Sequence, residues 1–213
     1  HRRGGGQGGL ALVVVGDHQL HPQGGGAGRL LHGGDAAVHR DDEAHPLAPE
    51  GVALAERRRG EMPPIDGLWV SPMLRCRQTA EILFPGVEQR LVDALKECDF
   101  GTFEGKTWAE LKDDPIYQAW LAGDPHIAFP GGEVLGEHIA RCRRGVAHVV
   151  EQARALGMSR PGILAHGGTL MSAMSGFAVP HQDFYSWLPS NCGGYLVRVE
   201  EGKELAFTLL EAL

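Results

Sequence analysis

His166 stands where an apolar run ends. In "GILAHGGTLMSAM", residues 162–174, a short strand-like stretch leads to the imidazole, then to Gly167 and Gly168, then to a helix-like stretch. Open α/β sheets bind ligands beyond the carboxyl ends of their strands. Paired glycines let the backbone approach a bound group closely. An imidazole at that point, beside a helix N-terminus, suits an anion; a satisfied structural histidine is the plainer alternative. A second stretch, "SPMLRCR" at 71–77, sets Arg75 in the first turn of a helix. A guanidinium there matches the oxygens of a phosphoryl group in bidentate fashion, whereas a solvated helix arginine is its bland reading. Arg77, two residues on, faces another way and reads as surface charge. A third stretch, "LKECDFGTFEGKTW" at 95–108, carries Glu97, Asp99 and Glu104 among aromatic residues. A carboxyl group amid apolar neighbours can have its pKa raised and act as a proton donor. Asp99 and Glu104 read instead as loop carboxylates.

The elements that must position these residues alternate. "LALVVV" (10–15) predicts a strand. "PLAPEGVALAERRRGE" predicts a short helix opened by Pro49. "GLWVS" (67–71) predicts a strand, and "SPMLRCRQTAEILF" a helix with Ser71 as N-cap and Pro72 at its first position. Residues 107–123 are helical in pieces, broken at Pro115. Residues 133–157 carry the longest helical pattern, closed by a glycine. "GILAH" predicts a strand, "TLMSAMSGF" a helix, and residues 193–213 a hairpin or two edge strands. The fold class is therefore α/β: a three-layer α/β/α arrangement around a mostly parallel sheet. Residues 46–213 form the α/β domain. Residues 1–45 stand apart, holding twelve of the 31 glycines and six of the 11 histidines.

The 213 residues suffice for one domain with a full core. A net charge of -7 argues against nucleic acid or an anionic membrane as the main partner. Any bound anion needs a local cluster of Arg and His. No apolar run reaches the ~20 residues that span a bilayer, and no signal-peptide pattern opens the chain, which begins without Met. Cys76, Cys98, Cys142 and Cys192 form no CxxC pair and read as reduced, buried thiols, as expected of a cytoplasmic protein. The spacings of His18, His21, His32, His39 and His45 match no common metal-ligand pattern.

"SPMLRCRQTAEIL", "LKECDFGTFEGKTWAEL", "PGGEVLGEHIARC" and "GILAHGGTL" occur in an order and at spacings that resemble the histidine phosphatase, or phosphoglycerate-mutase-like, family. The bacterial α-ribazole phosphatase type looks most similar. The resemblance spans residues 46–200 and begins with "PLAPEG". It implies a phosphoglycerate-mutase-like fold and hydrolysis of a small phosphorylated metabolite through phosphohistidine, without metal or cofactor. By position in the motifs, it also implies that Arg75 binds phosphate, Glu97 donates a proton, and His166 holds the phosphoryl group with Gly167 and Asn191 of "SNCGG".

The chain departs from the family at its first motif, because Arg-His-Gly occurs nowhere. His18 lies nearest the end of the first strand and is the candidate nucleophile; His32 is second. The Gly, His and Arg excess before residue 46 fits out-of-frame reading of GC-rich codons, with the frame restored near residues 43–46. Val134 stands where the family commonly has Ser. Arg141 and Arg143 read as helix surface. Three activities follow in order: a phosphomonoesterase, a non-enzymatic phosphate-ester-binding relative, and a mutase-type phosphotransferase. Specificity is expected from residues 113–129, with Trp108, Tyr117 and Trp120 read as core.

Overall fold

The computed structural model describes residues 9–17 and 46–213. The expectations for His18, His32 and the reading frame before residue 46 lie outside the described residues. Six strands form one sheet in the order β3-β2-β4-β1-β5-β6. They are β1 (Ala11–Gly16), β2 (Gly67–Val70), β3 (Gln89–Leu91), β4 (Pro161–Ala165), β5 (Gly194–Val199) and β6 (Phe207–Ala212). Neighbours from β3 to β1 are parallel, while β5 pairs antiparallel with both β1 and β6. The C-terminal stretch is thus a hairpin, with only β6 at an edge.

The continuous apolar run of β1 is buried on both faces, which is why it shows no alternation. Leu12 and Val14 pack on one face with Trp69, Ile163 and the helices α5 (Leu135–Ala155) and α6 (Gly167–Phe177). Val13 and Val15 pack on the other with Leu68, Val70, Leu164, α1 (Pro49–Arg58) and α2 (Leu74–Leu83). These two cores give the expected three layers. The long helix α5 ends as its glycine foretold. Gly157 takes a positive φ of 67°, and the N–H groups of Gly157 and Met158 donate to Arg154 and Ala153. The short helices α3 (Trp108–Leu111) and α4 (Pro115–Leu121) belong to a third, aromatic cluster. Tyr117 is buried there, while Trp108 and Trp120 pack at its margin.

The start of α2 corrects one expectation. Its N-cap is Met73 rather than Ser71, and Pro72 precedes the helix. Proline disfavours helical backbone at the residue before it. The Ser71 hydroxyl is engaged elsewhere, 2.8 Å from Nε2 of His166. The sequence also gave no hint of the three-residue edge strand β3. Among the described residues no helix is long and apolar enough to cross a membrane. All four cysteines are free and buried.

Candidate active site

Three adjacent parallel strands, β2, β4 and β1, end side by side, and the residue after each carries a polar side chain. The register pairs Val70 with Leu164 and Gly16 with Ala165. Ser71, His166 and Asp17 therefore emerge in a row, with His166 in the middle. Backbone bonds pin the row: Asp17 N–H donates to the Ala165 carbonyl at 2.8 Å, and Ser71 N–H to Leu164 at 3.0 Å. The His166 ring spans the gap, with Nε2 2.8 Å from Ser71 Oγ and Nδ1 3.1 Å from Asp17 Oδ2.

Arg75 reaches this row from the first turn of α2. Its Nε donates to Asp17 Oδ2 at 2.6 Å, and its Nη2 lies 3.1 Å from His166 Nδ1. The guanidinium and the carboxylate compete for the same ring nitrogen, since one would donate to it and the other accept from it. Glu97 closes the cluster from the loop after residues 93–95, with Oε2 3.9 Å from His166 Nδ1. Its Oε1 accepts from Cys98 N–H at 3.0 Å. Asp17, Arg75, Glu97 and His166 are all buried. Arg75, Glu97 and His166, expected together from the motifs, do meet.

The electrostatics follow from burial opposed by charge. Burial pushes the Asp17 carboxyl up, but His166 and Arg75 outweigh it and hold the group far below the usual carboxylate range. Burial also pushes Glu97 up, yet His166, His138 and Arg75 bring its pKa below the ordinary value. That corrects the expectation of a raised pKa: the surroundings of Glu97 are cationic rather than apolar. Arg75 is raised because Asp17 outweighs the effect of burial. The buried Cys76 thiol, 3.5 Å from His166 Nε2, is pushed well up, chiefly by burial and then by Asp17. Asp17, Cys76 and His166 present ligand atoms within 4.8 Å of one another. A neutral thiol and a guanidinium already seated on the carboxylate make that trio a poor cation site.

Behind Glu97 lies a second cluster. Arg141 on α5 grips Glu133 through Nε at 2.8 Å and Nη2 at 2.7 Å. It also donates to the carbonyls of Ala94, Lys96 and Glu97 at 3.0–3.1 Å. Arg141 is thus half-buried and fixes the loop that carries Glu97, instead of lying on the helix surface. Arg143 is likewise bound inward, to the Ser172 carbonyl at 2.9 Å. The buried His138 lies 3.5 Å from Glu133 Oε2 and is pushed up to about 10: burial opposes this, while Cys142, Glu133 and Glu97 favour it. At Gly168 a Cβ would stand 2.8 Å from Glu97 Oε1 and 3.2 Å from His138 Nε2. The second glycine after His166 thus leaves room for the Glu97 carboxyl.

Gly167 opens α6 immediately after His166. Asn191 lies in the turn whose Gly193 carbonyl accepts from Gly16 N–H at 2.8 Å, beside the end of β1. The hydrogen bonds that join Arg75, Asp17, Ser71 and His166 do not involve it. Asp99 and Glu104 serve their own loop, accepting from Gly101 N–H at 2.8 Å and Phe100 N–H at 2.9 Å. Asp17, Ser71 and His138 went unnoticed in the sequence as members of this site. For Asp17 a signal existed: it is the first residue after the "LVVVG" strand, at the carboxyl end where open α/β sheets bind ligands.

Known proteins share this arrangement of strands. A phosphoglycerate mutase from Thermus thermophilus is 26% identical, with a TM-score of 0.64 over 96% of this chain and 98% of that one. The α-ribazole phosphatase of Shigella flexneri, at 18% identity, superposes with a TM-score of 0.67 over 94% and 95%. A 6-phosphofructo-2-kinase/fructose-2,6-bisphosphatase of Caenorhabditis elegans is 30% identical over 139 residues, which is 64% of this chain and 29% of that protein. The chain spans only 23% to 29% of the length of the curated relatives it matches. The sequence profile of the histidine phosphatase superfamily (branch 1) matches residues 35–210, and the chain belongs to that family.

Proposed function

We propose that this chain hydrolyses phosphomonoesters of small metabolites, with Arg75 and His166 holding the phosphoryl group and Glu97 protonating the leaving oxygen. One observation carries the reading. Arg75 and His166, 91 residues apart in sequence, stand 3.1 Å from each other at the carboxyl ends of neighbouring strands, with a buried carboxyl group beside them. Guanidinium and imidazole donors aimed at one point stabilise the charge that builds on equatorial phosphoryl oxygens.

In the reaction an imidazole nitrogen attacks phosphorus while the bond to the alcohol oxygen breaks. Glu97 gives its proton to that oxygen. Water then attacks phosphorus, releasing phosphate and restoring the imidazole. His18, next to Asp17, is the nucleophile this reading assigns. Neighbouring positive charge, outweighing burial, keeps the Glu97 pKa below its ordinary value. A bound phosphoryl dianion offsets that charge, so proton and substrate enter together.

The position of Asp17 favours a second reading. Among the described residues a carboxylate, not an imidazole, follows β1 opposite His166 and Arg75, which suits a relative that binds phosphate esters without turning them over. Hydrolysis of p-nitrophenyl phosphate separates the two. Metal-free turnover at neutral pH is expected, falling at least 100-fold in both His166→Ala and His18→Ala. Turnover that survives His166→Ala overturns the assignment. No turnover from folded protein leaves the binding reading.

A further inference from the structure

We propose that Asp17 is the resident anion of this pocket: its carboxylate holds the seat of the phosphoryl group, and a ligand binds only by displacing it. The inference rests on the phosphate site proposed above. Asp17 Oδ2 lies 2.6 Å from Arg75 Nε and 3.1 Å from His166 Nδ1, the two donors assigned to phosphoryl oxygens. One oxygen atom within bonding distance of both is where a phosphoryl oxygen would sit.

The seat is buried. The side chains of Asp17 and His166 are 0% exposed and that of Arg75 is 6% exposed. The pocket already holds a second carboxylate, with Glu97 Oε2 3.9 Å from His166 Nδ1. A phosphoryl dianion added to two carboxylates would meet Arg75 and His166 as its close donors among the described residues. Like charges at such separations repel strongly in a buried setting.

The fit of the carboxylate is also incomplete. Asp17 Oδ1 is buried and has no hydrogen-bond partner among the described residues. A seat built for a carboxylate would offer donors to both oxygens, and a buried acceptor left bare is costly. Here one oxygen lies against both Arg75 and His166, and the other has no partner among the described residues. The backbone of Asp17 is fixed by its N–H bond to Ala165 at 2.8 Å. Vacating the seat therefore needs rotation of the side chain, with β1 left in place.

Titration calorimetry with inorganic phosphate at pH 7 tests this on the full chain. Asp17→Ser empties the seat and is expected to bind phosphate at least tenfold more tightly than the wild type. Adding Arg75→Met to Asp17→Ser should abolish the gain. Equal affinity of wild type and Asp17→Ser, still dependent on Arg75, overturns the role of Asp17 and leaves the phosphate site standing. Affinity indifferent to Arg75 overturns the phosphate site itself. Thermal melts establish folding. Should Asp17→Ser unfold, Asp17→Asn decides, because it keeps the volume and an acceptor for Arg75 Nε. A threefold or greater gain then supports the proposal, and an unchanged affinity overturns it.

Discussion

Two clusters of similar composition sit one behind the other, and they are wired differently. Each has a buried histidine, an arginine and at least one carboxylate. Around Arg141 the guanidinium meets Glu133 and His138 but is also committed to three backbone carbonyls. Around Arg75 the contacts described run to ionisable side chains, Asp17 and His166. Backbone carbonyls cannot leave, so the first wiring holds a loop in place. Side chains can rotate away or change protonation, so the second wiring can exchange partners with a ligand. The identity of the residues does not separate structure from chemistry here; the identity of their partners does.

The sharpest way to break this comparison is to make the same change in both clusters. Glu97→Gln keeps the volume and the acceptor for Cys98 N–H but removes the carboxyl proton that Glu97 is proposed to donate. Turnover of p-nitrophenyl phosphate is expected to fall by about 10²–10⁴-fold, the usual reach of general acid catalysis, with little change in melting temperature. Glu133→Gln should do the reverse, lowering the melting temperature and costing less than about tenfold in turnover, a loss of ~1.4 kcal/mol in transition-state stabilisation. Similar profiles for the two variants would show that the clusters do not differ in kind.

Next in size is the effect of Arg141→Met on stability. Removing one partner of a buried ion pair costs about 3–5 kcal/mol. Arg141 is 23% exposed, so a loss nearer 2–3 kcal/mol is expected in urea unfolding. The pH dependence carries the sign. Glu133 is lowered to about 2 by Arg141 and His138, against burial, from an ordinary 4.5. A depressed folded-state pKa means stability that is full above pH 4.5 and lost as pH falls towards 2. Wild-type stability should therefore drop across that window more steeply than that of Arg141→Met. Parallel curves would mean that the pair does not stabilise the fold.

Much of this was legible in the sequence, for physical reasons. Long periodic stretches such as residues 133–157 have one solution as a buried helix. β1 was legible because six consecutive apolar residues suit a strand covered on both faces. Arg75, Glu97 and His166 were legible because each sits in a distinctive stretch at an element's end. The rest depended on partners far away in sequence. Ser71 looked like a helix cap until His166, 95 residues on, claimed its hydroxyl. Glu97 looked apolar in its surroundings because its neighbours in sequence are aromatic, whereas its neighbours in space are Arg75, His138 and His166. Register placed Asp17 opposite His166, and register is set by strand pairing that no local pattern displays.

The smallest effect expected is also the most specific to the boundary between the clusters. Gly168 lies against both Glu97 and His138, and a Cβ there would meet Glu97 Oε1 at 2.8 Å and His138 Nε2 at 3.2 Å. Gly168→Ala sits near the start of α6, where alanine favours the helix by about 1 kcal/mol over glycine. Stability should therefore hold or rise slightly. The carboxyl end of Glu97, a flexible tip, must give way by several tenths of an ångström. A displacement of a proton donor on that scale should lower kcat by about tenfold with KM nearly unchanged, since small misplacements of catalytic groups act on the transition state. A variant that loses stability with its activity would place Gly168 with the structural cluster. One that keeps stability and loses kcat alone would put the boundary at Glu97, with the loop held by Arg141 on one side and the proton donated to substrate on the other.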